Sequence, residues 1–172
     1  AKINPGSDGL LFLPYMAGER SPIWDSHAQG TFFGLSYEKT RDHLIRSIME
    51  GVGYSLLHNL RTAQELDINV KVLRSVGGAA SSSVWTQIKA DITGKTIKVP
   101  SSKQATSLGA AMLAGVGVGV YDDFEEAVNQ TVRIQRIHQP NQENVEKYQA
   151  YYRLYLKLYE NLKELFPLVA KI

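Results

Sequence analysis

Lys71-Val72-Leu73-Arg74-Ser75-Val76-Gly77-Gly78-Ala79-Ala80-Ser81-Ser82 reads as a short strand, a glycine turn of small residues, and a helix starting at about Ser83. Val72, Ser75 and Val76 suit a strand, and Val84, Trp85, Ile88 and Ile92 then recur at helical spacing. Two glycines at the junction let the backbone turn sharply and approach a ligand with no Cβ in the way. The helix start leaves free N–H groups and the positive end of a dipole, which favour an anion or a polar ligand edge. On these residues alone an ordinary β–α turn stays open as the plainer reading. The spacing is not the G-x-G-x-x-G fingerprint of dinucleotide sites.

Working outward toward the C-terminus, Gly94 is a good residue to close that helix. Thr96 to Val99 is a short strand stopped by Pro100, and Ala105 to Ala114 is a helix rich in small residues, Gly109 among them. Gly115-Val-Gly-Val-Gly119 has the composition of a dinucleotide loop but follows a helix instead of a strand, so it reads as a helix exit. Asp122 or Asp123 caps a short helix through about Gln130. The last helix is predicted from about Gln142 to Phe166. Its residues Val145, Tyr148, Tyr152, Tyr155, Tyr159, Leu162 and Phe166 are spaced 3, 4, 3, 4, 3, 4. A helix docked on its own domain and a helix that binds a partner both fit that stripe.

Toward the N-terminus, Gly9 to Tyr15 is an apolar run ended by Pro14, and Ala17 to Gly30 is irregular. Within it, Glu19, Arg20, Trp24 and Asp25 mix charge with an aromatic, as loops facing a cleft often do; a surface loop with Trp24 packed down is the alternative. Gly30 to Leu35 reads as a strand. A long helix follows from about Arg41 to Leu66, with Thr40 as N-cap and Ile45, Ile48, Met49, Val52, Leu56, Leu60 and Ala63 as its apolar stripe. Gly51 and Gly53 inside it suggest a close crossing with another backbone. The alternation of strands and helices indicates an α/β fold.

The 172 residues suffice for one domain with a real core. Apolar residues make up 44% and charged residues 21%, ordinary for a globular chain. A net charge of +2 gives no reason to expect nucleic acid as a partner. With no cysteine, thiolate catalysis and cysteine metal sites are excluded, and a reducing, cytoplasmic setting is expected. No apolar run reaches the roughly 18 residues of a membrane helix. The chain opens with Ala-Lys, and the expectation is a piece of a larger protein. His27, His43, His58 and His138 show no metal-ligand spacing, and no G-x-S-x-G or Walker A sequence occurs. No metal site and no catalytic residue is therefore assigned within the chain.

Three stretches taken together carry more. Gly30-x-Phe32-x-Gly34-Leu35, seven residues, then His43-Leu44-x-x-Ser47-Ile48-Met49-Glu50 resembles the second signature of the FGGY family of carbohydrate kinases. FLPYMAGERSPIWD upstream is similar to the loop that precedes this signature in the xylulose and gluconate kinase branches. SVGGAASSSVW, ADITGK and SLGAAMLAGVGVGVY follow in the family's order. The resemblance runs from about Gly9 to Phe166, and the Tyr-rich tail looks most like the xylulose kinase branch.

That resemblance implies a two-lobed kinase of actin-like, RNase H-like architecture that uses ATP with Mg²⁺ to phosphorylate a hydroxyl of a sugar or polyol. This chain, 1–172, would be its C-terminal, nucleotide-binding domain, lacking the first strands of its core and so leaving a sheet edge exposed. By motif, Gly77, Gly78 and Ala79 match the glycine turn on which adenosine lies, Ser82 a position lining the same site, and Gly34 a backbone contact near the phosphates. Gly109 would let its helix pack close to that pocket. Ala79 stands where many xylulose kinases have a third glycine, and Ser81 where many have a basic residue. The catalytic base, most sugar contacts and the phosphate loops would belong to the preceding part, so the chain alone is expected to be inert. The implied partners are that N-terminal domain, the acceptor (xylulose first, with gluconate, glycerol or another polyol as alternatives) and a second copy in a homodimer. A non-catalytic assembly module docking through its Tyr-rich helix is the rival reading.

Overall fold

The computed structural model describes residues 3–102 and 104–169. After a 3-10 turn at Ser7–Gly9 come two short strands, β1 (Leu11–Leu13) and β2 (Thr31–Phe33), which pair antiparallel with Leu11 opposite Phe33. α1 (Arg41–Glu65) follows, then β3 (Val72–Arg74), a 3-10 turn at Gly78–Ser81, and α2 (Ser83–Thr93). β4 (Thr96–Pro100), α3 (Ala105–Gly117), α4 (Phe124–Thr131), β5 (Ile134–His138), α5 (Gln142–Leu162) and α6 (Phe166–Val169) complete the chain. β3, β4 and β5 form a second sheet in that order. β3 runs parallel to β4 through the α2 crossover, and β4 runs antiparallel to β5. β3 lies at an edge of this sheet, with Val72 and Arg74 exposed.

Local chemistry explains where the helices begin and stop. The Ser82 hydroxyl accepts from the Trp85 N–H, Asp123 from the Glu126 N–H, and Asn141 from Glu143 and Asn144, so each side chain satisfies a free donor of a first turn. α2 ends at Gly94, whose φ of 64° is the left-handed conformation glycine adopts without penalty. At the start of α1 the His43 Nδ1 accepts from the Thr40 N–H at 3.1 Å, and its Nε2 is 3.1 Å from Asp8 Oδ2.

The core lies between α1, α2, α5 and β1. It is built on Tyr15, Tyr54, Ile88, Ile92, Tyr148, Tyr155 and Tyr159, with Leu11, Leu13 and Phe166. The tyrosine stripe of α5 is therefore buried against its own fold: Tyr148 and Tyr155 are 0% exposed. This removes the surface that the partner-docking helix required. What α5 leaves outside is the other face, with Leu154 about half exposed.

The apolar stripe expected on α1 is not the face it buries. Ile45 and Ile48 are each 40% exposed, and the buried positions are Ser47, Glu50, Gly51, Gly53, Tyr54 and Leu57. Close approach explains the phase. A Cβ built on Gly51 would stand 2.4 Å from the backbone oxygen of Phe12, so β1 can cross α1 only at a residue without one. Glu50 tolerates burial because donors surround it. It accepts from Gly6 N at 3.0 Å, Ser7 Oγ at 2.7 Å, Arg46 Nε at 2.8 Å and the Tyr148 hydroxyl at 2.8 Å. Arg46 also donates to the Ile3 carbonyl and to Tyr148, so one ion pair ties the first residues, α1 and α5 together.

Strand β5 was not anticipated from the sequence. Val132, Ile134 and Ile137 are β-branched, but their alternation slips at Gln135. The structure has a register shift there: Val99 pairs with Arg136 and Pro100 with Ile134.

Candidate functional site

Beyond the end of β3 the backbone turns at Gly77, where φ is +79°, a conformation an L side chain would strain. Gly78 is outside that region, so the conformational demand falls on the first glycine only. Gly77, Gly78, Ala79, Ser81 and Ser82 are exposed, and only Ala80 is buried. A Cβ built on Gly77, Gly78 or Gly109 meets nothing within 4 Å, so the side these residues present is open.

Two cavities meet at this turn. One, of about 330 Å³, is lined by the turn (Gly77, Ala80, Ser81), by Ser101 and Ser102 after β4, and by Gln135 and Arg136 of β5. The second, about 230 Å³, is more apolar and is walled by Ala105, Leu108, Gly109 and Met112 of α3 and by Val132. Both are lined by Val76, Pro100 and Ser102, which makes them two lobes of one cleft. Arg74 and Arg133 stand at the apolar lobe and Arg136 at the polar one, and among the described residues no carboxylate lines either. Among the described residues none of these three arginines is ion-paired with a carboxylate. Burial and the neighbouring Arg136 charge hold the imidazole of His138, two residues along β5, below its ordinary pKa. An apolar slot next to an open small-residue turn, with a few polar groups at its rim, suits a flat ring with polar edges.

Gly77 and Gly109 thus share the cleft, with Gly78 and Ala79 on the same turn. Ser82 is adjacent, but its hydroxyl oxygen is occupied at 3.2 Å as the α2 cap. Gly34 lines neither lobe. Its φ is +92°, and a Cβ there would stand 2.5 Å from the Gly9 carbonyl oxygen, so its glycine is demanded by the crossing of two chain segments. The residues that sequence reasoning missed are Ser101, Ser102, Gln135, Arg136, Leu108 and Met112, brought in by elements far along the chain.

The Glu19–Asp25 loop is a separate feature. Glu19 and Asp25 exchange two backbone hydrogen bonds at 2.8 Å. The Asp25 carboxylate accepts from Tyr159 at 2.9 Å and from the His27 and Ala28 N–H groups, while Glu19 accepts from Ser55 and Ser21. These two carboxylates brace the loop. Trp24, by contrast, is 77% exposed at a φ of 50°, which rules out the packed-down alternative, and Arg20 is exposed beside it. No group of three His, Asp or Glu side chains converges among the described residues, so they do not fit a Mg²⁺ cage and no step is assigned to that ion. Among them, too, no helix is long and apolar enough to cross a membrane.

Comparison with known proteins identifies the family. A model of the FGGY family of carbohydrate kinases, C-terminal domain, matches residues 2–118. The chain is 36% identical over 165 residues to the xylulose kinase of Staphylococcus epidermidis, covering 96% of this chain and 33% of that protein. It is 35% identical over 170 residues to the gluconokinase of Bacillus licheniformis, covering 98% and 33%. The crystal structure of xylulose kinase from Rhodospirillum rubrum superposes with a TM-score of 0.84 at 30% identity, covering 96% of this chain and 33% of that one. The chain therefore spans about a third of the length of the curated relatives it matches.

Proposed function

The chain belongs to the FGGY family of carbohydrate kinases, in its C-terminal domain, and on that premise we propose that residues 1–172 hold the nucleotide of an ATP-dependent sugar kinase. The observation that carries the reading is the two-lobed cleft at the glycine turn, which brings an apolar slot and open glycine backbone together in one place. In this reading the apolar lobe takes the base, the Gly77–Ala79 backbone lies along the nucleoside, and Leu108 and Met112 keep water from the ring. ATP would supply the phosphoryl group; the acceptor hydroxyl is that of xylulose, with gluconate, glycerol or another polyol as alternatives. Gly34 is assigned to the backbone near the phosphates, and Glu19, Arg20, Trp24 and Asp25 to a loop facing the sugar-binding lobe. The exposure of Trp24 and Arg20 on a loop braced by Glu19 and Asp25 supports that last assignment. A separate N-terminal lobe supplies the base for the hydroxyl, the remaining phosphate contacts and the Mg²⁺. The setting is cytoplasmic, and a homodimer is the oligomer to test.

A titration of the isotope-labelled chain with adenosine, ADP and ATP, read by amide NMR, tests this. The expected result is weak binding that moves Gly77, Gly78, Ala79, Ser82, Ser102 and Gly109 and depends little on phosphate number. Charge-assisted bonds to phosphate are the strong ones, and most lie outside these residues in this reading. The pure chain should also phosphorylate no sugar. Binding that leaves the turn unmoved, or sugar phosphorylation by the chain alone, would overturn the proposal.

A further inference from the structure

Arg136 lies beyond residues 2–118, the span that the family model matches, yet it reaches into the cleft. Its guanidinium donates to the carbonyl of Ala80, the one buried residue of the glycine turn. The other hydrogen bonds recorded within the turn are local ones, from the Ala80 N–H to Gly77 O at 3.1 Å and from the Ser82 N–H to Ala79 O at 3.3 Å. Among the described residues Arg136 is thus the long-range tether of a segment that otherwise stands open.

The strand is built to deliver this side chain. Consecutive residues of an unbroken strand point to opposite faces, but Gln135 and Arg136 both line the polar lobe. The register shift opposite Val99 and Pro100 inserts one extra residue at Gln135 and so brings the two to the same side. The register shift and the hydrogen bond from Arg136 to the turn are two observations independent of the cavity itself.

Resting on the nucleotide reading above, we propose that Arg136 is a positioning residue of the nucleotide site, with the β5 bulge as the device that aims it. Arg136 acts through the Ala80 carbonyl, fixing the distance between the glycine turn and the β4 exit at Ser101 and Ser102. Arg136 also lines the lobe, where a carbonyl-bearing nucleotide edge would meet it.

The test compares Arg136→Met and Arg136→Lys with the unaltered chain, using ADP as the probe and amide NMR as the readout. Arg136→Met should weaken ADP binding about tenfold, as loss of a charge-assisted bond does, and should shift the Gly77 and Gly78 amides before any ligand is added. Arg136→Lys, which keeps a charged donor, should bind within about threefold of the unaltered chain; a purely structural effect would show no such rescue. If Arg136→Met does not fold, Arg136→Gln carries the same threshold. ADP binding unchanged in the folded neutral variant overturns the positioning role and leaves the nucleotide reading standing. ADP that fails to move the turn in the unaltered chain overturns both.

Discussion

Gly51 and Gly109 are both interior glycines of helices, and elementary propensity says the same of each: alanine should be better by up to about 1 kcal/mol. Their surroundings differ. At Gly51 a Cβ would stand 2.4 Å from the Phe12 carbonyl oxygen, which is backbone and cannot swing away; at Gly109 it meets nothing within 4 Å. Gly51→Ala should therefore destabilise the chain by about 1–3 kcal/mol, the usual cost of overpacking, while Gly109→Ala should stabilise it slightly. Denaturant midpoints of the two variants check this, and equal signs would show that helix propensity, not the β1 crossing, decides Gly51. The residue scale is also where the sequence was least complete. The glycines flagged a crossing, but which backbone crosses which is a fact of three dimensions. Glu50 was visible only as part of a family motif, since nothing in one chain predicts that donors from residues 6, 7, 46 and 148 will converge on it. Likewise Asp91 of ADITGK accepts from Gln87, Asn141 and Asn144, pinning the loop after β5 to α2. Both partner asparagines lie about fifty residues away in sequence.

Elements were more legible, and the reason is periodicity. α1 was expected over Arg41 to Leu66 and spans Arg41–Glu65, with Thr40 at its cap. The last helix was expected to continue to Phe166, but α5 stops at Leu162, and a turn leads to Phe166–Val169. Periodicity misled where apolar side chains served a different face, as with Ile45 and Ile48, and it failed at β5, where a bulge interrupts the alternation that marks a strand. That failure hid part of the candidate site, because Gln135 and Arg136 enter from β5. The α5 stripe gives the element-scale test. Tyr155 is 0% exposed, lies 5.5 Å from the Tyr54 ring centroid, and its hydroxyl is 2.6 Å from that of Tyr15. Tyr155→Ala should cost about 3–5 kcal/mol, as large-aromatic truncations in cores do. Leu154→Ala, one residue away on the exposed face, should stay within about 0.5 kcal/mol. The two denaturation curves fix which face of α5 carries the energy, and a larger loss at Leu154 would restore the partner-docking helix.

At the scale of the whole molecule, the core is a cluster of phenols, and that gives stability a pH dependence whose sign can be worked out. Burial pushes the Tyr15 and Tyr152 hydroxyls up to about 12. Burial likewise raises Tyr54, Tyr148, Tyr155 and Tyr159, reinforced at Tyr148 by the Glu50 charge, at Tyr155 by Tyr15, and at Tyr159 by the hydrogen bond to Asp25. In the unfolded chain a tyrosine ionises near about pH 10. Between about 10 and about 12 the unfolded chain therefore holds fewer protons than the folded one, and stability falls as pH rises. Below about pH 10 both states are protonated and this contribution is fully present. Each such tyrosine changes the slope by up to about 1.4 kcal/mol per pH unit, and six of them act on the same core, so the loss should be abrupt. The melting temperature should drop steeply above about pH 10, and the tyrosinate absorbance of the buried set should rise together with the loss of helical circular dichroism. The two signals measured on one sample across that range decide the matter. Phenolate absorbance that reaches its full amplitude while the helical signal persists would mean that these hydroxyls reach solvent in the folded state, and the tyrosine core would not be the closed cluster that joins α1, α5 and β1.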